Sequence, residues 1–422
     1  MSHSVSEGTQ ARVDAARILH RWLEERHYPE EDLVNIQTQR GFVMDLVYGV
    51  LRHYGALEWM IDELVDRAPP LQVRAHLLSG LYQLLFMDDV EAYAAIHETV
   101  EGARVQGLDR KVGFINAILR KAQREGEVLL KGLESQTLAT RLSHPEALVD
   151  RWVREFGEAD AAALCEWNNQ AADVIVRLRD PFRDAMVEAL IDSGARPHQV
   201  DGYYLCPRGR SVVDLPGFKE GALLVQDPAT RHAVELLALE SGMTVIDACA
   251  APGGKTVEIS DRVGDSGSVL ALDSQDDRLD RLRENVARCG LGGVDVYCVN
   301  SRETAALKAI LNGREVQRVL ADVPCTNTGV FRRRADARWR FSERRLTKIR
   351  KQQRAILEGV APVVAEGGAI VYSTCSLERD ENRQLVAEWL GQHPESSIEE
   401  ERVSRPWIDG VDGAYAVRLR RG

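Results

Sequence analysis

The chain is poor in the residues that would mark a disulfide scaffold, a zinc module or a membrane protein. Its seven cysteines include no Cys-x-x-Cys pair. An odd count without that spacing argues against both a disulfide framework and a zinc site, so no metal is expected. Aromatic residues are only 6% of the composition. No stretch approaches the roughly eighteen consecutive apolar residues of a membrane helix. The start, Met1-Ser2-His3-Ser4-Val5-Ser6-Glu7, lacks the basic then apolar pattern of a secretory signal. Free thiols without a leader point to a reducing cytoplasm. Two nucleotide fingerprints are also missing. There is no Gly-x-Gly-x-x-Gly turn. Gly254-Lys255-Thr256 mimics the end of a P-loop, but Cys249 holds the place of its first glycine. No internal repeat or low-complexity tract is present.

What is present describes a soluble, multidomain protein. Apolar residues make up 44% of 422 and charged residues 28%, a composition typical of globular chains. That length allows two or three cores. Net charge is −11, which taken alone disfavours nucleic acid as a partner. The charge is unevenly spread, however. Residues 331–351 hold ten Arg or Lys against Asp336 and Glu343. A local patch governs phosphate contacts more than the global sum.

Three regions follow from periodicity. Residues 1–140 read as successive amphipathic helices. Ala11, Ala15, Ile18, Leu19 and Trp22 share one face, as do Leu77, Leu78, Leu81, Leu84 and Leu85, and Val112, Ile115, Leu119 and Ala122. Residues 141–225 begin with two helical stretches and then change to an alternating strand at 174–178 followed by Gly/Pro punctuation, a small α+β connector. From 226 to 422, strands alternate with helices, the mark of an α/β domain with a parallel sheet. Strands are expected near 243–248, 269–273, 294–299, 318–323, 368–374 and 414–420.

In a parallel sheet, ligands bind beyond the carboxyl ends of the strands. Reading off those ends assembles a site. The first strand feeds Asp247-Ala248-Cys249-Ala250-Ala251-Pro252-Gly253-Gly254-Lys255-Thr256, a tight turn opening a helix whose N-terminus favours an anion. The second ends at Asp273, placed for ribose hydroxyls, and the third runs to Asn300. The fourth delivers Asp322 and then Cys325, and the fifth delivers Cys375. An adenosine cofactor lacking a pyrophosphate suits this turn, and S-adenosylmethionine is the natural candidate. Cys165, Cys206, Cys289 and Cys298 are read as packing residues.

The runs Asp247–Thr256, Asp322-Val323-Pro324-Cys325 and Ser373-Thr374-Cys375-Ser376 resemble the motifs of the Nol/Nop/Sun class of RNA cytosine-5 methyltransferases, in particular its bacterial small-subunit ribosomal RNA branch. Tyr48-Gly49-Val50-Leu51-Arg52 and Phe114–Arg120 resemble the NusB-like helical domain found in that branch, and His144-Pro145 with Trp152 resembles the segment after it. The resemblance spans nearly the whole chain. It implies a Rossmann-like S-adenosylmethionine-dependent methyltransferase domain preceded by an all-α RNA-binding domain. It implies a cofactor site at Cys249, Ala250, Ala251, Pro252, Gly253, Gly254, Lys255, Asp273, Asn300 and Asp322. It assigns Cys375 as nucleophile and Cys325 to product release. Asn300 stands where relatives often carry Asp, and Ala335 where an Arg-Arg-x-Pro-Asp pattern has proline.

The chemistry is consistent with those residue types. Cytosine C5 is a weak nucleophile until a thiolate adds at C6, and a thiol is the side chain best suited to that near neutral pH. Lys255 is a candidate cation to favour the thiolate, and Asp322 a partner for N3. The base must be flipped out or single-stranded. Arg332, Arg333, Arg334, Arg338 and Trp339 are expected to contact RNA by charge and stacking. The expected partner is 16S ribosomal RNA, naked or partly assembled, bound by a monomer. A different RNA target such as tRNA, or a non-catalytic assembly factor on the same scaffold, stands as the alternative. Glu284-Asn285-Val286 repeats a DNA cytosine methyltransferase motif, but out of order and within a predicted helix, and is read as coincidence.

Overall fold

A computed structural model describes residues 5–422, which form two compact units. The first runs to Gln170 and takes in the distant segment Phe331–Phe341. It is helical, as its apolar stripes require. Ser6 caps the first helix, Glu7–Glu25, by accepting the Thr9 N–H at 3.0 Å. Ala11, Ala15, Ile18, Leu19 and Trp22 are buried in one core with Leu77, Leu78, Leu81, Ile115 and Leu119, while Leu84, Leu85 and Val112 are partly covered at its edge. The unit extends past the expected 1–140. Helices Glu146–Phe156 and Glu158–Asn169 join it through buried Leu148, Trp152, Ala161 and Leu164, and Trp152 lies 6.2 Å from the Phe331 ring.

The second unit contains the connector and the α/β domain. The connector sheet holds β1 (Ile175–Leu178), β2 (Arg196–Pro197), β3 (Tyr203–Leu205) and β4 (Leu223–Val225), all antiparallel in the order β2-β3-β1-β4. Arg179, buried just after β1, grips Asp261 through two hydrogen bonds of 2.6 and 3.0 Å and also donates to Gly221 O and Cys289 O. Asp261 belongs to the helix Gly254–Val263, so the connector is fastened to the helix that starts at the glycine turn.

The main sheet has β5 (Thr244–Asp247), β6 (Ser268–Asp273), β7 (Val294–Cys298), β8 (Val316–Asp322), β9 (Val364–Thr374), β10 (Ser396–Ser404) and β11 (Ala414–Arg421), in the order β10-β11-β9-β8-β5-β6-β7. Strands β5 to β9 are parallel, and β11 and β10 are antiparallel additions. Strand β10 carries Glu399, Glu400, Glu401 and Arg402, and this charge hid it from hydropathy. Alternation sorts the two faces. Ile246, Leu270, Val319, Ile370 and Val417 face one core, and Val245, Val269, Leu320, Val371 and Ala416 the other. Strand β5 lies between β6 and β8, so the order reverses there, and the crevice of a doubly wound sheet opens at that point.

Candidate active site

The crevice is built first by the turn after β5. Its backbone is pinned on both sides: Ala248 N donates to Leu320 O at 2.8 Å and Ala250 N to Leu272 O at 2.8 Å. Gly253 has φ +107°, and a Cβ there would sit 2.6 Å from a Leu282 methyl. Only glycine suits that position, which leaves the backbone bare at the start of the helix Gly254–Val263. Asn285 donates to Pro252 O at 2.9 Å. The Glu-Asn-Val run therefore does lie in a helix, Asp276–Arg288, and there it braces the turn.

Carboxylates surround this turn. Asp247 is buried and receives the Thr256 hydroxyl at 2.7 Å. Burial pushes its carboxyl up to about 7, against the lowering effect of Thr256. Asp273, also buried, accepts the Gln275 N–H at 3.2 Å and pairs with Arg278 at 3.3 Å. Asn300 behaves differently from a free ligand group. Its oxygen accepts from Arg302 Nε at 2.9 Å and its nitrogen donates to Glu303 at 3.0 Å, so both ends of the amide already serve the local turn. Cys249 lies partly exposed at the turn, and burial followed by the nearby carboxylates pushes its thiol far up.

The reactive groups converge on the ends of β8 and β9. These strands run side by side with Asp322 opposite Ser373. Asp322 takes Lys255 Nζ on one oxygen at 2.6 Å and the Ser373 hydroxyl on the other at 2.5 Å. Burial works against the Lys255 charge, but the Asp322 charge and hydrogen bond outweigh it and hold the ammonium above its ordinary value. Three residues on, Cys325 Sγ lies 3.1 Å from Cys375 Sγ. Asn327 Oδ1 lies 3.1 Å from Cys375 Sγ and 3.7 Å from Cys325 Sγ. The Cys325 thiol is pushed well up, first by its hydrogen bond with Cys375 and then by burial. The Cys375 charge in turn adds to the field that holds Lys255 protonated.

A buried polar scaffold sets this spacing. The Glu381 carboxylate, fully enclosed, accepts the Thr326 N–H at 2.9 Å and Gln353 Nε2 at 3.0 Å, and takes the hydroxyls of Thr326 and Ser376. It thereby clamps the residue that follows each cysteine. Gln353 also reaches Pro324 O at 3.0 Å, and Asn382 bridges Thr374 Oγ1 at 2.7 Å and Ser376 O at 2.8 Å. Gly329 N donates to Cys375 O at 3.0 Å. Reading the motifs for their cysteines alone missed Ser373, Asn327, Gln353, Glu381 and Asn382. A signal was available: the buried stretch of β9 from Ala369 to Tyr372 ends in Ser373-Thr374, and polar residues ending a buried strand must have partners.

The basic run needs correction. Arg338 is fully buried, its guanidinium donating to Asn169 Oδ1 at 2.6 Å, Asn168 O at 2.9 Å and Ser143 O at 3.2 Å. Trp339 donates to Leu51 O at 2.8 Å and meets Tyr54 edge-on at 5.0 Å. Arg332 stacks over Trp167 at 4.4 Å, and Arg340 pairs with Asp336 and lies over Tyr28. Arg338 and Trp339 thus fasten 331–341 into the helical unit and do not face RNA. Helical spacing concealed this, because a 3-10 turn at Ala335–Arg340 turns these side chains inward. The exposed cations of the stretch are Arg334, Arg344, Lys348 and Lys351.

Residues 234–419 match the family described as 16S rRNA methyltransferase RsmB/F, and residues 9–124 match the NusB family. A ribosomal RNA small subunit methyltransferase B from Pseudomonas putida is 35% identical over 367 residues, 85% of this chain and 82% of the relative. The chain belongs to the RsmB/F family. A probable methyltransferase of the same name from Synechocystis is 32% identical over 84% of this chain and 81% of its own length. The crystal structure of a methyltransferase homolog protein from Pyrococcus horikoshii shares the fold, with a TM-score of 0.59 at 23% identity over 68% of this chain and 98% of that one. The family identified from three short motifs and the family found over most of the chain agree. Among the described residues no helix is long and apolar enough to cross a membrane, and no cluster of His, Cys, Asp and Glu has metal-site geometry.

Proposed function

We propose that this protein methylates C5 of a cytosine in 16S ribosomal RNA through a covalent bond between Cys375 and C6, acting as a cytoplasmic monomer. The observation that carries the reading is the pair of thiols 3.1 Å apart beside a lysine–aspartate pair at the sheet's switch point.

S-adenosylmethionine suits the residues of the crevice. Asp273 and Asp322 would repel a pyrophosphate but tolerate a cationic sulfonium. The bare turn at Gly253 and the helix N-terminus suit its carboxylate, and Asp273 its ribose. When bound, it supplies an electrophilic methyl group.

The chain's own residues perform the rest. With Cys325 as the donor of the pair, its S–H and the positive charge of Lys255 would both favour Cys375 as the attacking thiolate. Attack at C6 sends electron density to C5 and N3. Asp322, fed by Lys255, delivers a proton to N3 and neutralises that charge. Bonding Cys375 to C6 removes its hydrogen bond and its charge from Cys325, the foremost cause of that thiol's elevation. Cys325 then gives its own proton up to solvent more readily, and its thiolate takes the C5 proton once C5 carries the methyl. Loss of that proton restores the ring double bond and expels Cys375 as thiolate, and N3 returns its proton to Asp322 and Lys255.

The test is transfer of labelled methyl from S-adenosylmethionine to 16S ribosomal RNA, the small ribosomal subunit and tRNA in parallel. Label as 5-methylcytosine in ribosomal RNA supports the reading. Label only in tRNA overturns the target, and label in none overturns the activity.

A further inference from the structure

We infer that Asn327 is a catalytic residue that serves both protonation states of the Cys375 sulfur. The inference rests on Cys375 being the nucleophile.

Three observations point to it. A single side-chain oxygen, Asn327 Oδ1, lies 3.1 Å from Cys375 Sγ and 3.7 Å from Cys325 Sγ, so it caps the thiol pair at the place where the reaction begins. The residue is held there by more than its own side chain. Its φ is +63°, in the left-handed region that asparagine accepts more readily than most residues. Its carbonyl receives Val330 N at 3.1 Å. Its neighbour Thr328 is buried and accepts Leu377 N at 2.9 Å, tying the turn to the Cys375 loop. Finally, the amide nitrogen of Asn327 has no hydrogen-bond partner among the described residues, although the side chain is half-buried.

An amide carries an acceptor and a donor on one planar group. Against a protonated Cys375, the oxygen is placed to accept S–H. Against the thiolate, rotation about the terminal torsion presents N–H to the sulfur, and the charged form gains a donor. That rotation is soft for asparagine. Aspartate has the same shape but offers only a negative acceptor, and alanine offers neither group.

The other groups acting on Cys375 do not change between variants. They are Lys255 from the helix after β5, itself paired with Asp322, and Cys325 after β8, which in turn feels Glu381 and Tyr372. A difference between variants therefore reports Asn327 alone.

The test uses the full-length protein without RNA. Cys375 alkylation by iodoacetamide is followed across pH by peptide mass spectrometry, in wild type, Asn327→Asp and Asn327→Ala. The Asp variant places a carboxylate beside the sulfur, so its midpoint is expected about one pH unit higher. Below both midpoints its rate is then about tenfold lower. The Ala variant, which loses acceptor and donor together and adds no charge, is expected to move by a smaller amount than the Asp variant. Midpoints indistinguishable from wild type in both variants, with Cys375 still reactive, would overturn the inference. Because the readout needs neither RNA nor methyl transfer, it separates from the proposed function. Loss of RNA methylation as an activity would leave an alkylation shift standing, and an unchanged alkylation profile would leave the methyltransferase reading intact.

Discussion

Replacing Arg338 with alanine separates two readings of the same residue. As a phosphate contact, Arg338 would be dispensable for folding. In the structure it is a buried fork whose guanidinium satisfies one side-chain oxygen and three backbone carbonyls. Burial pushes its charge down from its ordinary value, with Cys165 and Asp336 acting the other way. Hydrogen bonds from a charged donor are worth about 1.5–3 kcal/mol each, and the desolvation of the ion offsets a large part of that sum. Truncation strands Ser143 O and Asn168 O and leaves a cavity under Phe331 and Trp339. A net loss of about 3 kcal/mol in the helical unit is expected. Lysine, lacking the planar fork, should recover less than half of it. Hydrogen exchange over Arg40–Arg52 and Glu158–Asn169, read with chemical denaturation of the full chain, measures the loss. Arg334→Ala, exposed in the same segment, serves as the control and should leave exchange unchanged. Arg338→Ala with wild-type protection but weaker RNA binding and a shallower salt slope would refute the structural role.

Three further outcomes follow from the site. Gly329→Ala places a Cβ 2.5 Å from Gly413 O and 2.8 Å from Cys375 O. Methyl transfer should fall by more than about tenfold, since small displacements of reacting groups are costly, while calorimetry finds S-adenosylmethionine binding retained. Glu381→Leu removes the acceptor shared by Thr326, Ser376 and Gln353. The full chain should lose about 2–4 kcal/mol of stability in denaturant titration, because four buried donors lose their acceptor. For Asp247, whose carboxyl is raised to about 7, the fold favours the protonated form. Its stabilising contribution is therefore present below the unfolded value near 4 and fades as pH rises through about 7. Thermal unfolding of Asp247→Asn should gain on wild type across that window and run parallel to it above.

The fold was legible in the sequence wherever burial was one-sided or complete. Helical stripes such as Ala11 to Trp22 and the apolar strands β5, β6, β8 and β9 announced themselves, and strand order placed Asp247, Asp273, Asp322 and both cysteines at one rim. What escaped had mixed signals. Strand β10 is highly charged because it borders β11 alone, so no apolar face betrayed it. The basic run looked like an RNA-contacting surface, yet an arginine whose donors meet carbonyls can be buried whole, and no periodicity reports that. The Glu381 clamp is made of ordinary polar residues whose importance comes from their meeting inside the protein. Asn300 was marked as a ligand by its place after β7, whereas its amide is engaged with Arg302 and Glu303.

The central claim is the unequal division of labour between two thiols that lie 3.1 Å apart. The measurement that tests it most directly is mass spectrometry of the species formed when Cys325→Ala and Cys375→Ala proteins are each incubated with 16S ribosomal RNA and S-adenosylmethionine. The account predicts a stable protein–RNA adduct for Cys325→Ala, with a 5-methylated cytosine attached to Cys375, and none for Cys375→Ala. An adduct carried by Cys325 in the Cys375→Ala protein would contradict it.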